Sequence, residues 1–152
     1  MIILNNIKMI IGVDFDGTCV YHDFPRIGAD IGAAPVIKEL IDNGHEIVLT
    51  TMRDNNSELV YDGSDPYIHP YGGDYLDEAV GWFSDNGLKL SGVQHHPSQH
   101  DWTSSPKSYC HILIDDVALG VPLKVDTYIG NRPFVDWVRV REILVSRGVI
   151  RE

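Results

Sequence analysis

The sequence predicts an α/β fold, a doubly wound, mainly parallel sheet with flanking helices. Three observations carry that prediction. Short apolar runs stop abruptly at polar or charged residues, as strands covered on both faces do. Segments with apolar residues at helical spacing alternate with these runs, which is the order of βαβ units. The length of 152 residues, with 43% hydrophobic and 22% charged, suits one globular domain built on one core.

Taken in order, "KMIIGVDF" (8 to 15) reads as the first strand, ending in the turn "DGT". "APVIKELIDNG" (34 to 44) follows as a helix, with Val36, Ile37, Leu40 and Ile41 on one face, Pro35 near its start and Gly44 at its end. "HEIVLTTMR" (45 to 53) is the second strand, reached by a right-handed crossover. "DYLDEAVGWFSDNG" (74 to 87) is a second helix, with Trp82 and Phe83 read as core or interface residues. "LKLSGV" (88 to 93) and "HILIDD" (111 to 116) are further strands, and "KVDTYIG" an edge strand. "RPFVDWVRVREILVSRG" (132 to 148) closes the chain as a helix with Pro133 in its first turn.

Two stretches break this rhythm. Residues 54 to 75 form an insertion with Tyr61, Tyr67, Tyr71 and Tyr75, long enough for a small lid and equally readable as a solvated loop. Residues 94 to 107 are polar and rich in turn residues. Their His95, His96 and His100 lack flanking cysteines, and we read them as surface residues at the edge of an entrance rather than as zinc ligands.

A formal charge of −10 argues against wide contact with nucleic acid, whose binders present a basic face. The two cysteines, Cys19 and Cys110, are far apart and are expected to be free thiols in a reducing compartment. The apolar start "MIILNNIKMIIGV" lacks a basic leader and a cleavage site, and no run reaches the ~18 apolar residues of a membrane span. The expectation is a cytoplasmic protein with no membrane partner; its oligomeric state is open.

Ligands gather at the carboxyl ends of the strands in such sheets. Three strands end in reactive groups here: Asp14 and Asp16 on the first, Thr50, Thr51 and Arg53 on the second, Asp115 and Asp116 on the fourth, with Lys107 on the loop leading into it. Carboxylates so close together repel unless a cation holds them, and an oxygen-only set suits Mg²⁺. A lysine and a threonine hydroxyl beside it suit the phosphate that Mg²⁺ commonly co-binds.

"DFDGT" at 14 to 18, "VLTTMR", Lys107 and "IDD", in that order, resemble the four motifs of the haloacid dehalogenase-like superfamily, most closely its short bacterial members with little or no cap, where "PRIG" (25 to 28) also occurs. The resemblance spans the chain, except that the insertion departs from it. It implies a Rossmann-like Mg²⁺-dependent phosphatase acting through an aspartyl-phosphate. Asp14 would be the nucleophile and Asp16 the general acid and base. Thr51, with Thr50 as the competing choice, and Lys107 would bind the phosphate. Asp14, Asp16 through its backbone carbonyl, Asp115 and Asp116 would hold the metal. The expected partner is a phosphorylated small molecule of unread identity. Two alternatives stand beside this: a phospho-accepting receiver-like module, and a phosphotransferase to a sugar hydroxyl.

Overall fold

The computed structural model describes residues 7–55 and 73–152. Four short strands make the main sheet: β1 (Ile10–Val13), β2 (Glu46–Leu49), β3 (Gly92–Val93) and β4 (Ile112–Ile114). Their order is β3-β2-β1-β4, and every pairing is parallel. β1 therefore lies inside the sheet, with Ile11 and Val13 fully buried, as its unbroken apolar run requires. The chain winds outward from β1 through β2 to β3 and then returns to β1's other side as β4. The switch in direction falls between β1 and β4, where such sheets open a crevice.

Among the described residues three α-helices flank the sheet: α1 (Ala33–Asp42), α2 (Tyr75–Asp85) and α3 (Trp137–Ser146). α1 buries Ala33, Val36, Ile37 and Leu40, the stripe expected from its spacing. α1 and α3 touch each other, and Arg141 forks onto Glu39 at 2.8 and 3.0 Å. On α2, Trp82 and Phe83 pack against Phe15, with ring centroids 5.8 and 6.4 Å away. This is the Rossmann-like α/β architecture expected. Among the described residues no helix is long and apolar enough to cross a membrane.

Three expected elements differ. The segment 132 to 148 is not helical throughout, because Phe134–Val135 (β6) pairs antiparallel with Leu123–Lys124 (β5). The Asp136 side chain then accepts from Arg139 N at 3.3 Å and caps α3, leaving Pro133 outside the helix. Of 88 to 93 only Gly92–Val93 is strand, since Leu88 N donates to Phe83 O at 2.9 Å and so closes α2. "KVDTYIG" leaves the ribbon after Lys124, where Asp126 turns the chain by accepting from Tyr128 N, Ile129 N and Gly130 N, each at 3.0 Å. Most of the expected insertion, with Tyr61, Tyr67 and Tyr71, lies outside the described residues. Its two flanks are tied together by Leu76 N donating to Asp54 O at 3.2 Å and by paired Asn55–Asp77 hydrogen bonds of 2.8 and 3.0 Å.

The added ribbon and α3 brace the turn after β1. Val135 N donates to Gly17 O at 3.1 Å, and the buried Trp137 Nε1 donates to Thr18 O at 2.6 Å. Residues from the far end of the chain thus fix the backbone that carries Asp14 and Asp16.

Candidate functional site

Strand register decides which side chains meet. Val13 pairs with Leu49 on one side and with Ile114 on the other. The next residues along these strands are Asp14, Thr50 and Asp115, held level by Thr50 N donating to Val13 O at 2.9 Å and Asp14 N to Ile114 O at 3.0 Å. Side chains at matching positions of neighbouring strands project from the same face. All three line one cleft of about 1050 Å³, together with Lys107 and Ser108.

The turn "DFDGT" is closed by Phe15 O, which accepts from Thr18 N at 3.1 Å and Cys19 N at 2.7 Å. Gly17 sits at φ +82, and a Cβ there would stand 2.1 Å from His22 Nε2 and 2.6 Å from Asp116 Oδ2. Only glycine allows this turn to close against the carboxylates. Thr18, fully buried, donates from Oγ1 to Asp14 Oδ2 at 2.9 Å and accepts from Asp116 N at 3.0 Å. One hydroxyl thereby ties β1 to the end of β4.

Asp14, Asp115 and Asp116 each offer one oxygen within 4.8 Å of the others. Burial first, and then the charge of Asp115, pushes the Asp14 carboxyl up to about 8. Burial also pushes Asp115 up, and the Asp116 charge adds to it. Burial acts the same way on Asp116, but hydrogen bonds from His22 (2.9 Å) and Asp14 outweigh it and leave that carboxyl below its ordinary value. The trio carries unfavourable charge that a small cation would relieve. Its all-oxygen donor set fits Mg²⁺ and is poor in the nitrogen and sulfur that zinc prefers.

Asp16 faces a different partner. Arg53 Nε and Nη2 fork onto its two oxygens, each at 2.8 Å. The Arg53 side chain is 1% exposed. It also donates to the carbonyls of Arg26 (2.8 Å), Tyr75 (3.3 Å) and Pro25 (3.4 Å), and its guanidinium carbon lies 5.0 and 5.1 Å from the centroids of Phe15 and Phe24. The sequence marked Arg53 as a strand-end group without giving it this role. The available signal was an arginine directly after a buried strand, where a cation must find an anion. His22 was also missed; it lies six residues past Asp16 in a loop with no periodic pattern.

Thr51 and Thr50 differ sharply. Thr51 Oγ1 accepts from Arg53 N at 3.0 Å, and its backbone is held by Gln94 through contacts of 3.0 and 2.6 Å. Thr50 Oγ1 is buried and has no hydrogen-bond partner among the described residues. Lys107 is exposed on the cleft wall, its backbone fixed by Ser105 Oγ at 3.2 Å and Gln99 Nε2 at 2.7 Å.

The three histidines of 94 to 107 do not meet at one point: the His95 and His100 rings lie 5.6 Å apart, while His96 turns to other partners. His96 binds Glu46 at 2.8 Å and Ser98 Oγ at 2.7 Å, while His95 lines the cleft and contacts Pro106 O at 2.8 Å. Among the described residues the aspartate trio is the one set of three with metal-ligand spacing. Cys19 and Cys110 are free thiols, Cys19 buried with Sγ 3.2 Å from Asp14 O.

No protein-family model matches the chain, and no curated protein matches it. Among solved structures it is similar to a conserved protein coded by locus from Bacteroides thetaiotaomicron, 29% identical over 93% of each chain with a TM-score of 0.66. The likeness runs nearly end to end and supports the Rossmann-like fold; it names no activity.

Proposed function

We propose that the chain is an Mg²⁺-dependent phosphomonoesterase of the haloacid dehalogenase-like kind. One observation carries this reading: Asp14 and Asp115, with Asp116 within ligand spacing of both, share one cleft at the carboxyl edge of a parallel sheet with a threonine hydroxyl that has no partner among the described residues and with a lysine. Carboxylates alone would fit many cation sites. A hydroxyl donor and an ammonium call for an anion beside the cation, and a phosphate ester takes both.

Asp14, Asp115 and Asp116 would hold Mg²⁺, with the Asp16 carbonyl as a further donor. The ion would screen the repulsion between Asp14 and the phosphate. An Asp14 oxygen forms a bond to phosphorus while the bond to the ester oxygen breaks, and that oxygen takes a proton from the Asp16 carboxyl. Water then attacks the aspartyl-phosphate and returns a proton to Asp16; the bond to Asp14 breaks, and inorganic phosphate leaves. At rest Asp16 is the carboxylate partner of Arg53; in this role it gives up one of its two Arg53 contacts, takes a proton from solvent on the freed oxygen and passes that proton to the ester oxygen.

We assign the phosphoryl contact to Thr50 rather than Thr51, because Thr50 shares the register of Asp14 and its hydroxyl is unclaimed. Thr50→Val is expected to lower kcat/KM on the order of 10²-fold, the usual effect of losing one donor to a transferring group. Thr51→Val is expected to cost far less. If Thr51→Val proved the more damaging in folded protein, the assignment would return to Thr51.

The activity itself is tested by phosphate release from an aryl phosphate and from a panel of phosphorylated metabolites. Release is expected with Mg²⁺, to vanish with a chelator and to return when the ion is restored. Labelled oxygen from water in the released phosphate separates hydrolysis from transfer to a sugar hydroxyl. Absence of turnover throughout the panel, with an aspartyl-phosphate that persists for hours, would instead favour the receiver-like reading.

A further inference from the structure

The cleft extends well past the carboxylates, and one of its walls is aromatic: Trp102, Tyr109 and His111 line it together with Asp14. Trp102 is 62% exposed and Tyr109 44%, in a chain that buries Trp137 to 2%. Large rings left in water beside a reactive centre point to a ligand that covers them. Their arrangement is ordered. The Trp102 and Tyr109 ring centroids are 5.4 Å apart with planes at 90°, and Tyr109 stands 5.3 Å from His111 at 75°.

A buried glutamine fastens this wall. Gln99, 2% exposed, accepts from Tyr109 N through Oε1 at 2.8 Å, donates from Nε2 to Lys107 O at 2.7 Å, and accepts from Trp102 N through its carbonyl at 3.2 Å. Both exposed rings and the lysine between them in sequence are therefore positioned from one point. A wall held this way loses little freedom when it binds. Beside Lys107, the Ser108 hydroxyl is buried without a partner among the described residues.

We propose that the cleft takes a phosphomonoester whose alcohol carries a flat aromatic or heteroaromatic ring, with the phosphate toward Asp14 and Lys107 and the ring in the corner formed by Trp102 and Tyr109. The phosphate end rests on the phosphatase reading above. Two perpendicular rings suit a flat guest, which lies face-on to one and edge-on to the other, both favourable contacts. A bare sugar phosphate has no π face to offer. The ring could come from a nucleobase or from a simple phenyl group, and the same rings would serve either.

The test compares adenosine 5′-monophosphate and benzyl phosphate with ribose 5-phosphate, all esters of a primary alcohol, so that the leaving oxygen differs little. The ring-bearing esters are expected to exceed ribose 5-phosphate at least about tenfold in kcat/KM, the scale of one stacked ring. The higher of the two identifies the source of the ring. Trp102→Ala is expected to narrow that preference about tenfold, and Trp102→Phe to restore most of it. Equal kcat/KM for all three esters, or an equal loss on all three in Trp102→Ala, overturns the inference. Binding supplies a readout without turnover: in Asp14→Asn protein with Mg²⁺, adenosine 5′-monophosphate is expected to quench tryptophan emission and ribose 5-phosphate is not, and the quench is expected to be lost in Trp102→Phe. If no ester is hydrolysed but ring-selective quenching persists, the phosphatase reading fails and the ring site stands. If hydrolysis proceeds while binding ignores the ring, the ring site fails alone.

Discussion

Asp14→Asn is expected to abolish phosphate release, by on the order of 10³-fold or more, and at the same time to make the metal-free protein more stable above neutral pH. The first effect follows from the proposed role of Asp14, whose attacking oxygen the substitution removes. The second follows from the charge the wild-type site carries. Asp14 has its native carboxyl pushed up to about 8 from an ordinary 3.8, by burial and then by Asp115. Between those values the folded chain holds a proton that the unfolded chain has released, so wild-type stability falls as pH rises from about 4 to 8. Asparagine keeps the oxygen that accepts from Thr18 Oγ1 and has nothing to titrate. Variant and wild type should therefore melt alike near pH 4, and by pH 8.5 the variant should lead by on the order of 5 °C in chelator. Added Mg²⁺ should close the gap by stabilising the wild type. Thermal melts across pH with and without the ion check this; a gap that is independent of pH would mean that the Asp14 carboxyl carries no such burden.

The strand-end chemistry was legible because β1 and β2 are buried on both faces, so that their apolar runs break off where the cleft begins, and the edge strand β4, though it leaves Leu113 48% exposed, stays apolar up to Asp115. That exposed Asp14, Asp115 and Asp116 as a group before any geometry was known. Choosing between Thr50 and Thr51 needed the register of Val13 with Leu49, and an apolar run marks its own end only to within a residue. The Asp16–Arg53 and His22–Asp116 pairs join residues 37 and 94 positions apart, and no periodicity encodes such contacts. β6 was read as helix because "PFVDWV" keeps apolar residues at helical spacing; the cap at Asp136 decides where the helix begins. The aromatic wall was similarly hidden, since Trp102, Tyr109 and His111 come together only once Gln99 folds its loop.

Arg53→Met should be among the most destabilising single changes in the chain, by about 3–5 kcal/mol, because it strands a charge rather than removing a pair. The methionine can fill the space between the rings of Phe15 and Phe24, so lost volume is a small part of the effect. What remains is the Asp16 carboxylate, its side chain 16% exposed, without the two donors that now hold it. The carbonyls of Pro25, Arg26 and Tyr75 lose a donor in the same step. These acceptors lie on the loop after the "DFDGT" turn and at the start of α2, so Arg53 joins three segments that no strand pairing links. Arg53→Lys should lose less, since it keeps the charge, but a single ammonium cannot fork onto both Asp16 oxygens. Adding Asp16→Asn to Arg53→Met should recover about 1–2 kcal/mol by removing the stranded charge, a coupling that a double-mutant cycle in denaturant melts reads directly. Activity should not recover with it, because the proposed general acid is then absent. Were the Arg53→Met midpoint to match the wild type, the guanidinium would be a bystander, and the fixed placement of the Asp16 carboxylate would need another cause.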